Sequence, residues 1–117
     1  MKIEFHASKV SYTEAIDGEI VQVVFEEDED SDPFHPTKLY LHISANYEFG
    51  SRDPTAQWFD GSDEDGGIDI EFFNITQNEA QIQLKNAYIF IISFEAAPSI
   101  VENIRSFLSR DCKEINA

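Results

Sequence analysis

Positive charge is scarce in this chain: eight lysines and arginines stand against 23 aspartates and glutamates in 117 residues, for a formal charge of −15. The imbalance argues against nucleic acid or an anionic membrane as a direct partner, since both carry the same sign of charge. Cysteine is nearly absent. The single Cys112 excludes an intrachain disulfide framework and a Cys-rich zinc site. No apolar run approaches the ~18–20 residues of a membrane span, and the opening MKIEFHASK has no signal-peptide apolar core. The expected setting is the cytoplasm. What the chain does have is core material: 42% apolar residues and 13% aromatic, including ten phenylalanines. At this length a single domain, 1–117, is expected.

The acids are concentrated. Between Glu26 and Glu71 fourteen acids meet only two bases, Lys38 and Arg52, so this stretch carries −12 of the −15. Two clusters dominate it, EEDEDSD at 26–32 and DGSDEDGGIDIE at 60–71. Like charges repel and stay in water, which places both on surface loops or exposed strand edges. A solubilising role is the ordinary reading of such runs. Ordinary surfaces, however, intersperse both signs, because a field of one sign opposes folding by self-repulsion.

Period-two alternation recurs along the chain and predicts strands. Ile3 and Phe5 alternate with Glu4 and His6, and Leu39, Leu41 and Ile43 share a face opposite Tyr40 and His42. EIVQVVFE at 19–26 reads as a strand buried on much of both faces. Ile68, Ile70 and Phe72 are expected to share a dry face opposite Asp69 and Glu71. Ile82 and Leu84 alternate with glutamines, and YIFIISF at 88–94 reads as a central strand. Turn signals fall at Asp17-Gly18, Asp32-Pro33, Asp53-Pro54, Gly66-Gly67 and Gln77-Asn78. From Ile68 to Phe94 the order predicts a three-stranded antiparallel meander. After Pro98, Ser99 and Glu102 fit a capping box, and Ile100, Val101, Ile104, Phe107 and Leu108 make one helical apolar face. The expected fold is α+β and mostly antiparallel. Within it, a twisted sheet or small sandwich of about six to seven strands lies within 2–94, and a C-terminal helix, about 99–110, packs on one face.

Catalytic patterns are missing. His6, His35 and His42 show no HxxxH or HExxH spacing, and no GxSxG, GxxxxGK[ST] or GxGxxG motif occurs. The run from Asp60 invites a calcium-loop reading. With Gly66 at the sixth position, however, Gly61 falls at the first, and with Gly67 there Phe73 falls at the twelfth, so neither register supplies the oxygen ligands. No catalytic residue, metal site or cofactor is expected.

A compact acidic domain without chemistry reads as a binder of something basic, because complementary fields speed encounter and suppress wrong partners. Affinity then needs anchors, typically aromatic, within a ring of charge. Phe34, Trp58 and Phe59 lie beside the acids, Trp58 being a candidate for core or interface alike. Beyond composition, the order of elements, and above all LYLHIS at 39–44 and GGIDIEF at 66–72, resembles immunity protein family ten of bacterial polymorphic toxin and contact-dependent growth inhibition systems. The resemblance runs over essentially the whole chain. It implies a cytoplasmic, non-enzymatic antidote that neutralises the toxic domain of a cognate effector, often a nuclease with a basic cleft. The expected binding residues are Glu26, Glu27, Asp28, Glu29, Asp30, Asp32 and Phe34 from the first cluster. Trp58, Phe59, Asp60, Asp63, Glu64, Asp65, Asp69 and Glu71 come from the second, with Gly66-Gly67 turning the acids outward. A monomer is expected. Two further readings remain: an acidic nucleic-acid mimic that binds a DNA-binding protein, and a small enzyme.

Overall fold

Ile3, Phe5 and Ala7 are buried while Lys2, Glu4 and His6 are exposed, so the first strand, β1 (Lys2–Ala7), obeys its sequence alternation. Ser8 then bends the chain into β2 (Lys9–Ala15), its N–H donating to the Glu26 carbonyl at 2.9 Å. The remaining strands are β3 (Ile20–Glu26), β4 (Tyr40–Asn46), β5 (Thr55–Phe59), β6 (Glu64–Ile75), β7 (Glu79–Leu84) and β8 (Ile89–Phe94). Helix α1 (Pro98–Ser109) and the two-residue β9 (Lys113–Glu114) follow. The computed structural model describes residues 2–15, 17, 19–27, 39–47, 54–59, 64–110 and 112–114.

Among the described residues all nine strands belong to one sheet, in the order β1-β8-β7-β6-β5-β4-β3-β2, with β9 added to β6. The sheet is mostly antiparallel but mixed, since β1 runs parallel to β8 and β9 parallel to β6. This corrects the expected six to seven strands. The shortfall came from β2, β5 and β9, whose short or polar segments (KVSYTEA, TAQWF and KE) carry little apolar alternation. The two ends of the strand order, β1 and β2, are neighbours in the chain with Ser8 between them. The sheet therefore curls until its ends meet at a bend. The opposite corner is β6, whose residues from Glu64 to Asp69 pair with β5 and from Ile70 to Ile75 with β7. Strands that change partner through bends and bulges turn such corners. The enclosed face is one apolar core in which Phe25 of β3 and Phe94 of β8 approach to 5.8 Å between ring centroids.

The meander β6-β7-β8 is antiparallel, as the sequence predicts. Three local expectations change. β3 buries Val21, Val23 and Phe25 but leaves Gln22 exposed and Val24 half-buried, so it has one dry face, not two. In β6 the pairing slips between Ile70 and Phe72, which moves the inward set from Ile70 to Phe73 and Ile75 and leaves Phe72 only half-buried. Gly66-Gly67 forms no turn; it lies inside β6, which starts at Glu64.

The helix also begins earlier than expected. Ala97 is its N-cap with no side-chain cap, Pro98 is its first residue, and Ser99 already lies in the first turn. No capping box forms; Glu102 instead pairs with Arg105 at 3.3 Å. Val101, Ile104, Phe107 and Leu108 are buried, and Phe107 meets Tyr12 of β2 edge-on at 6.3 Å. Arg105 ties three elements together. Its Nη2 donates to the Ile75 carbonyl of β6, and its Nε lies 3.2 Å from Glu114 Oε2 in an ion pair outside hydrogen-bond alignment.

Candidate functional site

Strand pairing sets out the outer face of β2 to β6 as rows. One row runs Lys9, Glu26, Tyr40, Phe59, Glu64, and the next Ser11, Val24, His42, Gln57, Gly66. Period two explains why these residues point away from the core: their chain neighbours Phe25, Leu41 and Trp58 are fully or almost fully buried. The first row puts aromatic rings in the middle and carboxylates on either side.

Tyr40 and Phe59, directly opposed across β4 and β5, stack with ring centroids 6.4 Å apart and planes 23° from parallel. Both are half-buried. Tyr40 also leans on the His42 ring at 4.5 Å, and His42 Nε2 lies 2.8 Å from Glu26 Oε1. On the other flank stands Glu64, paired with Phe59 in the same row. Partial burial raises the Tyr40 pKa above its usual value, and the neighbouring Glu64 and Glu26 carboxylates push it the same way.

The edge of this face has its own geometry. Ala56 pairs with Ile68 and Gln57 with Gly66, so Gly67 is an extra residue in β6, with φ of +79°. This is a bulge with glycine in the left-handed region, a conformation costly for any residue with a Cβ. Gly66 is required for a different reason: a Cβ there would lie 2.6 Å from Gln57 Cγ. Tyr40, Gln57, Glu64, Asp65 and Gly66 together line an open depression of about 390 Å³.

Of the residues expected from sequence to bind a partner, Phe59, Glu64 and Asp65 come together here, and Glu26 stands at the far side of the same row. Trp58 does not. It is 1% exposed, with its ring 5.2 Å from Tyr88 and 5.9 Å from Phe90, which answers the core-or-interface question in favour of the core. Glu27 is used internally, accepting the Leu39 N–H at 2.9 Å. Asp69 faces Lys85 at 3.8 Å beside a separate depression of about 300 Å³, and Glu71 is exposed farther along β6. Asp28, Glu29, Asp30, Asp32, Phe34, Asp60 and Asp63 lie outside the described residues.

Tyr40, His42 and Gln57 join this face beyond the residues expected from sequence. The signal was present for the first two, since the alternation of LYLHIS places Tyr40 and His42 opposite Leu41 and Ile43. Gln57 depends on the register of β5, whose short TAQWF carries too little alternation to announce a strand.

Among the described residues, no three His, Cys, Asp or Glu side chains are grouped to hold a metal ion, and no helix is long and apolar enough to cross a membrane. No protein-family model matches the chain, and neither a curated protein nor a solved structure matches it.

Proposed function

We propose that this protein is an immunity-type inhibitor that binds the basic toxic domain of a cognate effector, a nuclease, in the cytoplasm and blocks its active site. The observation that carries the reading is the Tyr40–Phe59 stack, half-exposed on an outer sheet face between Glu26 on one side and Glu64 and Asp65 on the other. Aromatic anchors within a carboxylate ring are what tight binding of a cationic protein surface requires. A nuclease cleft evolved for phosphates is such a surface, and an anionic protein face can occupy it in place of the substrate. The chain's charge of −15 adds long-range steering toward that cleft. The resemblance of LYLHIS and GGIDIEF to immunity protein family ten points the same way, and both segments contribute to this face, through Tyr40 and His42 and through Gly66.

The test is co-purification with the effector C-terminal domain encoded beside its gene, followed by a nuclease assay. Stoichiometric binding with loss of cleavage is the expected result. Absence of binding at moderate salt overturns the reading. Binding of several unrelated DNA-binding proteins, with no toxin in the neighbourhood, replaces it with the nucleic-acid-mimic reading.

A further inference from the structure

The depression beside Tyr40 has an aromatic wall and an anionic wall. Tyr40 supplies the first and Glu64 and Asp65 the second, while Gln57 and Gly66 complete the lining. Among the described residues, no lysine or arginine pairs with Glu64 or Asp65; the ion pairs are those of Lys2, His42, Lys85 and Arg105 with other acids. The second depression, lined by Gly67, Ile68, Asp69, Lys85 and Asn86, differs on both counts. None of the described residues lining it is aromatic, and its carboxylate already has a cation 3.8 Å away.

The geometry points to an arginine side chain of a protein partner as the group that docks beside Tyr40; this rests on the outer face being the contact surface. Its guanidinium lies over the Tyr40 ring and directs its N–H groups to the Glu64 and Asp65 carboxylates, with the Gln57 amide oxygen as a further acceptor. A guanidinium suits these walls better than an ammonium. It is planar, weakly hydrated and able to stack, and its five donors spread over two carboxylates. A lysine ammonium is a compact charge that keeps its water and gains less from an aromatic wall. The same chain uses such a contact internally: the Arg110 guanidinium lies 4.6 Å from the centroid of the Tyr47 ring. Asp65 Oδ1 accepts the Gly66 N–H at 2.8 Å, and its other carboxylate oxygen is left for a partner's donors.

Two peptides of equal length and charge, four Gly-Arg repeats and four Gly-Lys repeats, test this by titration calorimetry on the full chain at constant ionic strength. The arginine peptide is expected to bind about 2–5-fold more tightly than the lysine peptide, the factor for an exposed cation–aromatic contact. Tyr40→Phe keeps that preference and Tyr40→Ala removes it. Glu64→Gln with Asp65→Asn weakens the arginine peptide more than Glu79→Gln, a substitution on β7 away from the depression. Equal affinity for the two peptides, or a preference that survives Tyr40→Ala, overturns the proposal. If Tyr40→Ala does not fold, the carboxamide pair decides, and an effect no larger than that of Glu79→Gln overturns it. The neighbouring toxin failing to bind while the arginine preference persists would remove the immunity reading and leave this one. Toxin binding without the preference would do the reverse.

Discussion

Gly66 sits opposite Gln57 in the β5–β6 pair so closely that a Cβ on the glycine would lie 2.6 Å from Gln57 Cγ and 3.2 Å from its Cα. The neighbouring Gly67 has nothing within 4 Å of where its Cβ would be, but its φ is +79°. Adjacent glycines are thus needed for unrelated reasons, one steric and one conformational. Gly66→Ala is expected to cost about 1–3 kcal/mol, as overpacking does, and Gln57→Ala in the same chain to recover part of the loss. Gly67→Ala is expected to cost about 1–2 kcal/mol from the left-handed backbone, with no recovery from Gln57→Ala. Urea unfolding of the four single and double variants separates the two causes.

Trp58 and Phe59 are consecutive, yet one is 1% exposed in the core and the other half-buried on the outer face. Trp58→Ala should therefore destabilise the fold by about 3–5 kcal/mol, the range for removing a large buried aromatic. Phe59→Ala should leave stability much closer to wild type while weakening the partner complex. Thermal unfolding and an affinity measurement on both variants check this, and equal stability losses would contradict the assignment of faces.

These neighbours also show how far the sequence could be read. Alternation was enough to find β1, β4, β7 and β8, where Ile3 and Phe5, Leu41 and Ile43, Ile82 and Leu84, or Phe90 and Ile92 repeat every second residue into the core. It failed where the ladder is irregular. The slip after Ile70 shifts the inward set to Phe73 and Ile75, and the bulge at Gly67 makes strand of a segment that composition marks as a turn. A bulge is a property of two strands together, so one strand's pattern cannot announce it. The acids were easy to see, but which acids meet which aromatics depended on the register of β4, β5 and β6. Tyr40 and Glu64 share a row only because Phe59 is the paired residue of both.

Ala87 holds φ at +74° in the connection from β7 to β8, where its N–H donates to the Leu84 carbonyl at 3.1 Å and Leu84 N–H donates to Tyr88 at 2.8 Å. The hairpin geometry requires a left-handed residue there, and alanine bears a steric cost that glycine does not. Ala87→Gly should raise stability by about 0.5–1 kcal/mol, the strain relief less the added chain entropy of glycine. A higher urea midpoint with an unchanged denaturant slope is the expected outcome.

Tyr12 bridges β2 and α1: its ring meets Phe107 edge-on, and its hydroxyl donates to Glu14. Partial burial, then the hydrogen bond and charge of Glu14, push its pKa from 10.0 up to about 12. A phenol whose pKa is raised by folding contributes stability that is complete below the unfolded value and is lost as pH climbs through the folded one. Stability should therefore fall between pH 10 and about 12 as the unfolded chain ionises first. Tyr12→Phe should flatten that fall and leave the behaviour near neutrality without a matching change. Denaturant midpoints followed against pH, with phenolate absorbance to locate the titration, provide the check.

The acids at the edge of the face make opposite demands on folding and on binding. Each adds to the self-repulsion of a chain at −15, and each adds to the attraction for a cationic partner. Glu64→Lys with Asp65→Lys changes the net charge from −15 to −11, since each substitution adds two units. Both side chains are exposed, so the lysines enter water and not the core. Relief of repulsion acts in favour of the folded state, so stability should change little. Association should nevertheless slow by about tenfold at low salt, because steering depends on the field near the docking point. Its dependence on ionic strength should also become shallower than that of the wild type, since less attraction is left to screen. Stopped-flow association at several salt concentrations, beside a urea titration, separates the two effects. An unchanged association rate would show that these acids serve solubility alone and would move the contact surface away from the Tyr40–Phe59 row.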